Sequence, residues 1–229
     1  MNQIKLNLPG EKDYFTQEAL KTHRTNLQFC GQDIRVFMLT SVSENEGKST
    51  IALSLAKSFS DLDKKVLVID ADMRKSVMAG KNTNAKKPKG LSEALNGMAK
   101  IEDIVCQAEG TQVYILFAGQ YPPNPVELLG GKYFEDIVKA AREKFDYILV
   151  DTPPLGRVVD AAVIAPNCDG AVLLIGNNRV PYREAQEVVA QIRKTDCKVL
   201  GVVRNNSSVS SHTYYHHHDS ALEMKAQKK

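Results

Sequence analysis

The sequence predicts an α/β fold: a doubly wound, mostly parallel sheet with helices on both faces. Two observations predict it. Short runs rich in Val, Ile and Leu alternate with longer stretches of helical periodicity, and that order places crossover helices between parallel strands. Most of these runs lack the polar alternation of a strand with one wet face, so they read as strands buried on both faces. A third observation points to where the chemistry lies. The first apolar run passes into "MLTSVSENEGKST", residues 38–50, and Gly-Lys-Ser-Thr between a strand and a helix is the end of a phosphate-binding loop.

The elements follow in order. A helix over about 16–29 precedes the first strand, with Thr16 as its expected cap. The strands are "IRVFMLT" (34–40), "KVLVID" (65–70), "VYILFAG" (113–119), "YILVD" (147–151), "GAVLLIG" (170–176) and "KVLGVVRN" (198–205). Helical patterns run over 47–62, with apolar residues at 51, 52, 55, 56 and 59, over 132–144, with Phe134, Ile137, Val138 and Ala141 on one stripe, and over 182–194, with Ala185, Val188, Val189 and Ile192 on another. Residues 79–90 read as a basic, polar loop. From Asn205 the chain turns polar and reads as a mobile tail. The expected division is an N-terminal arm and helix (1–33), one nucleotide-binding domain (34–206) and a tail (207–229).

Composition narrows the function. A length of 229 residues suits one large domain plus tails, and 43% hydrophobic residues argue against wholesale disorder. Thirty basic and 27 acidic residues leave a net charge of +3, too even to point to nucleic acid. Cys30, Cys106, Cys168 and Cys197 form no C-x-x-C pair, which argues against a zinc site or a disulfide framework. No apolar run approaches a membrane span and no signal-peptide pattern opens the chain. The expectation is a soluble, cytoplasmic protein whose membrane work needs a partner.

The strict phosphate-loop pattern wants glycine where Val42 stands. Such a loop works through backbone N–H groups at a helix N-terminus, so outward side chains are unconstrained. Glu44 and Glu46 are then tolerable if only their amides face phosphate. Asn45 readily takes left-handed backbone angles and stands in for glycine. Lys48 would reach the β- and γ-phosphates, Ser49 would bind Mg²⁺, and Thr50 would lie near the α-phosphate. Gly-Lys-Ser-Thr alone fits an ordinary strand–turn–helix equally well. Asp70 and Asp72 in "VLVIDADMR" and Asp151 in "YILVDTPP" tip the balance, because strand ends meet beside the loop in such a sheet and Mg²⁺ needs only one or two carboxylates. Pro153 and Pro154 stiffen the next segment, compatible with a γ-phosphate-facing loop or a plain turn.

"TSVSENEGKST", "VLVIDADMRKS" and "YILVDTPPL" together resemble the Walker A, A′ and B boxes of bacterial protein-tyrosine kinases, the BY-kinase family. "EALKTHRTNLQF", "GLSEAL", "PPNPVELL" and "KVLGVVRN" fit as well. The resemblance covers roughly residues 16–206 and implies a fold akin to the Min and Par partitioning ATPases. It implies ATP and Mg²⁺ as cofactors, with Lys48 and Ser49 on phosphates and metal. Asp70 is implied to activate the attacking tyrosine, Asp72 and Asp151 to hold the metal, and Asn205 to contact the base. It implies a ring-shaped homo-oligomer that phosphorylates tail tyrosines between subunits, here Tyr214 and Tyr215, in capsular or exopolysaccharide synthesis. The family's oligomerisation pattern reads Glu18, Lys21 and Arg24, with lysine where the family has arginine. The implied partners are the cytoplasmic tail of a membrane activator of the polysaccharide chain-length class, which recruits the kinase to the inner face of the membrane, and a phosphotyrosine phosphatase.

Two other readings stay open. A partitioning-type nucleotide switch would hydrolyse ATP without making phosphotyrosine, but such ATPases usually carry a lysine early in the loop, where this chain has "TSVSE". A nucleotide-binding adaptor would not turn over. His216, His217 and His218 suit either a weak metal contact or a solvated tail.

Overall fold

The computed structural model describes residues 2–8, 13–86, 88–176 and 180–205. Its strands are β1 (Asn2–Ile4), β2 (Val36–Ser41), β3 (Val66–Asp70), β4 (Cys106–Ala108), β5 (Val113–Leu116), β6 (Tyr147–Asp151), β7 (Gly170–Gly176) and β8 (Lys198–Asn205). The helices are α1 (Tyr14–Phe29), α2 (Lys48–Ser60), α3 (Leu91–Leu95), α4 (Ile101–Ile104), α5 (Pro125–Leu129), α6 (Lys132–Lys144), α7 (Asp160–Ile164) and α8 (Tyr182–Ile192). One sheet runs β1-β4-β5-β3-β6-β2-β7-β8, parallel throughout except for β4 against β5.

Alternate residues of the central strands feed two cores. Val36 and Met38 of β2 join Phe134, Val138, Val188 and Ile192 on the face covered by α6 and α8. Phe37 and Leu39 join Leu53 and Phe59 of α2 on the other. Both faces of β2 and β3 are therefore fully buried, which is why these strands read as unbroken apolar runs.

The six expected strands are all present, with ends shifted by a few residues. β8 departs from the buried pattern: it is an edge strand, and Val202 on it is half-exposed. β1 and β4 were not legible; each has three residues, including Asn2 and Gln3 in one and Gln107 in the other. The cap of α1 is also corrected. Asp13, not Thr16, is the N-cap, and its carboxylate accepts from the Thr16 N–H at 2.8 Å and the Thr16 hydroxyl at 2.6 Å. The 79–90 loop is only partly irregular, since Met78–Asn82 forms one π-helical turn.

Asp169 anchors the start of β2. One of its oxygens accepts from the Arg35 and Val36 N–H groups at 2.8 Å each, and Arg142 binds both oxygens at 2.7 and 3.0 Å. Burial alone would raise this carboxyl's pKa, but the Arg142 and backbone hydrogen bonds win and hold it below the usual range. Asp169→Ala leaves those donors unmet and is expected to cost about 2 kcal/mol in urea unfolding at pH 7. A loss within experimental error would show that the anchor is replaceable.

Candidate active site

Chain order reverses around β2: β6 lies on one side and β7 on the other. This is the switch point at which doubly wound sheets bind ligands, at the carboxyl ends of the strands. β2 ends at Ser41 and α2 begins at Lys48, so residues 42–47 wrap the N-terminus of α2. Two left-handed residues shape the wrap, Asn45 at φ 61° and Gly47 at φ 88°. Asn45 thus takes the conformation expected of it, while Val42 is buried in the core and no glycine is required there. A Cβ at Gly47 would fall 2.2 Å from Nδ2 of Asn205 and push that amide aside. That amide donates to the Glu46 carbonyl at 2.9 Å, which ties the end of β8 to the loop.

Lys48 is buried, and its Nζ donates to Ser41 Oγ at 3.0 Å. Glu44 points outward and pairs with Lys75 at 2.6 Å, which lowers its pKa. Glu46 departs from expectation: its side chain is turned in, 3% exposed, beside Gly176. Burial pushes its pKa up.

Asp70 and Asp151 sit side by side, paired in register across β3 and β6, and each is 1% exposed. The Ser76 hydroxyl donates to Asp70 Oδ2. Asp70 Oδ1 and both oxygens of Asp151 have no hydrogen-bond partner among the described residues. Burial, reinforced by Asp151, raises the Asp70 pKa well above the carboxylate range. Burial pushes Asp151 up to about 7, although Ser49 and Lys48 nearby favour its ionised form. Asp72 is half-buried with its pKa raised by burial, and it accepts from the Lys75 N–H at 2.9 Å. It faces the cleft with Asn45, Lys48, Ser49 and Thr50.

Buried carboxylate oxygens without partners are costly, and a bound cation is one way to satisfy them. Asp151, Asp70 and the Ser49 hydroxyl offer hard oxygen donors, as Mg²⁺ prefers, with phosphate and water to complete its shell. Among the described residues no three His, Cys, Asp or Glu side chains close into a cage, so the protein offers a partial shell.

Two contacts behind the cleft had no signal in the sequence. Asn82 donates to Thr50 Oγ1 at 3.1 Å, and Asp160, buried, holds the cleft residue Arg74 at 2.8 Å.

Glu18, Lys21 and Arg24 lie on α1, away from the carboxylates, and they are already engaged. Lys21 pairs with Glu18 at 2.7 Å, and Arg24 donates to the Ser58 carbonyl and hydroxyl of α2 at 2.6 and 3.1 Å. Tyr214, Tyr215 and the three histidines lie outside the described residues.

Comparison with known proteins agrees with this geometry. The family model described as "AAA domain" matches residues 44–168. Tyrosine-protein kinase CpsD of Streptococcus agalactiae serotype Ia is 41% identical over 199 residues, covering 87% of this chain and 86% of that protein. Tyrosine-protein kinase YwqD of Bacillus subtilis is 33% identical, covering 90% and 87%. The solved kinase domain of Escherichia coli tyrosine kinase ETK superposes with a TM-score of 0.77 at 27% identity, covering 85% of this chain and 78% of that one. A phosphate loop backed by paired buried carboxylates, together with kinship along most of the chain, leads to one conclusion: this chain belongs to the bacterial tyrosine-protein kinases, built on a P-loop nucleotide-binding fold.

Proposed function

We propose that the chain transfers the γ-phosphoryl group of ATP to protein tyrosines, including Tyr214 and Tyr215 of a neighbouring copy, and that it does so in control of capsular or exopolysaccharide synthesis. The observation that carries the chemistry is the in-register pair of Asp70 and Asp151, whose unpaired buried oxygens lie on the strands beside the loop bearing Lys48 and Ser49.

The roles follow from position. Backbone N–H groups of residues 44–47 cradle phosphate at the positive end of α2. Lys48 exchanges its Ser41 contact for β- and γ-phosphate oxygens. Thr50 meets the α-phosphate, and Asn205, tied to the loop at Glu46, lies toward the base. Ser49, Asp151, Asp72 and Asp70 are the residues that would hold Mg²⁺, which supplies charge neutralisation on the phosphates. The tyrosine oxygen bonds to the γ-phosphorus as the bond from that phosphorus to the β,γ-bridging oxygen breaks, and the electron pair leaves with ADP. The phenolic proton, with an unperturbed pKa of about 10, passes to Asp70, the carboxylate beside Asp151 at the strand ends, which accepts it in its ionised form. Most of the rate gain comes from positioning and charge stabilisation.

Assembly and recruitment belong to the same reading. α1 presents the exposed Glu18–Lys21 pair to a neighbour, while Arg24 braces α1 on α2. No helix among the described residues is long and apolar enough to cross a membrane, so a membrane activator's cytoplasmic segment would bring the kinase to the inner membrane face. The test is mass spectrometry of residues 206–229 after incubation with Mg·ATP, with and without that segment. Phosphate on Tyr214 or Tyr215 is expected. ATP hydrolysis with no phosphotyrosine in either sample would replace this reading with the nucleotide switch.

A further inference from the structure

Asn82 lies outside the phosphate loop yet touches it. It closes the π-helical turn Met78–Asn82, a wide backbone geometry that concentrates at functional positions. It is 1% exposed. Its Nδ2 donates to Thr50 Oγ1 at 3.1 Å, while Oδ1 has no partner among the described residues. The N-terminal arm holds its backbone from the other side. The Asn7 N–H donates to the Asn82 carbonyl at 2.7 Å, Leu6 bridges to Thr83, and the Lys5 N–H donates to Asn84 Oδ1 at 2.9 Å. Asn82 is therefore held at its backbone by the arm and at its side chain by the first turn of α2.

A threonine hydroxyl has one hydrogen to give and lone pairs with which to accept. In a helix that hydrogen ordinarily turns back to a carbonyl three or four residues earlier, which for Thr50 is the phosphate loop itself. A donor seated on the oxygen changes this. The Asn82 amide occupies a lone pair and restricts the hydroxyl's rotation, which biases the hydrogen toward an acceptor in the cleft that Thr50 lines. A purely packing role would be better served by an apolar side chain, because the buried Oδ1 gains nothing where it stands.

We propose that Asn82 is a positioning residue that sets the Thr50 hydroxyl as a donor to the α-phosphate of the bound nucleotide. This rests on the reading of Thr50 given under Proposed function. ADP and ATP share the α-phosphate, so both lose affinity by the same factor when Asn82 is removed. On this reading Asn82 acts on the α-phosphate and not on the group transferred, so its removal raises KM for ATP more than it lowers kcat.

The experiment is calorimetric titration of the full chain with Mg·ADP for Thr50→Val, Asn82→Ala and the double variant, with Thr50→Ser alone and combined with Asn82→Ala. Each of the first two single variants is expected to weaken ADP about tenfold, the scale of one charge-assisted hydrogen bond. The double variant should match Thr50→Val within twofold, and the Asn82→Ala cost should return in the Thr50→Ser background, which keeps a hydroxyl. Thermal unfolding of each nucleotide-free variant runs alongside, and Asn82→Ser takes the place of Asn82→Ala should that variant fail to fold. An equal Asn82→Ala cost with Val or Thr at position 50 would overturn the proposal, as would no cost where Thr50→Val shows one. Unchanged ADP affinity in Thr50→Val would instead sink the reading of Thr50 itself, and this proposal with it.

Discussion

Lys48→Met is expected to lower phosphotyrosine formation by two to three orders of magnitude while the protein stays folded. The buried Nζ is a donor at the mouth of the loop, held by Ser41 Oγ at 3.0 Å. Removing one preorganised donor from a site of developing charge costs about 10²–10³ in rate. Methionine keeps most of the volume of the lysine stem, so the packing of α2 against the sheet changes little and the thermal midpoint should move by only a few degrees. The check is a time course of phosphotyrosine with Mg·ATP and a tyrosine-bearing acceptor, beside thermal unfolding of both proteins. A variant that keeps more than a tenth of wild-type transfer would remove Lys48 from the machinery.

The second large effect is on stability and has a definite sign with pH. Asp151 has its pKa raised from the ordinary carboxylate value to about 7 by burial, with Lys48, Ser49 and Asp72 as its charged and polar surroundings. Asp70 beside it is raised well above the carboxylate range for the same reason, reinforced by Asp151. A raised carboxylate pKa means that the folded state holds protons the unfolded chain has released. The stabilisation tied to Asp151 is fully present below about pH 4 and is lost as pH climbs through about 7, and that of Asp70 falls with pH in the same direction. In chelator-treated protein, Asp151→Asn removes the cost of ionising that site and the repulsion that Asp151 places on Asp70. It should be more stable than wild type at pH 8 by about 2–4 kcal/mol, with little difference near pH 4. Urea unfolding at the two pH values measures it. Mg·ADP should then stabilise wild type strongly and the variant weakly, because ligand binding only to the native state adds stability by mass action. A wild type that is the more stable of the two at pH 8 without metal would mean that the buried carboxylates carry no such strain.

Much of the fold was legible because its signals are local or repeat along the chain. Strands buried on both faces cannot hide their composition, and β2, β3 and β7 read as continuous apolar runs. The amphipathic stripes of α6 and α8 follow from the helical repeat. The loop was legible for the same kind of reason: Asn45 is the residue type that tolerates φ 61°, and Gly-Lys-Ser-Thr needs only its own backbone to open a helix. β1 and β4 were not legible. A three-residue strand has too few positions to show alternation, and pairing across more than a hundred residues leaves no local trace.

The site divides along the same line. The sequence by itself determined which side chains are candidates for the chemistry: Lys48, Ser49, Thr50 and the aspartates at 70, 72 and 151. The tertiary structure decided what those groups experience. It set Asp70 opposite Asp151 in register, where burial raises the pKa of both carboxyls. It folded Glu46 inward against the expectation that it faced out, and it committed Arg24 to Ser58 of the neighbouring helix. It also brought Asn82 onto Thr50 across 32 residues of chain. Residue identity fixes the donors and acceptors a chain possesses. Their pKa values, partners and unmet oxygens depend on desolvation and on distances between segments remote in sequence, and those exist only once the sheet has assembled.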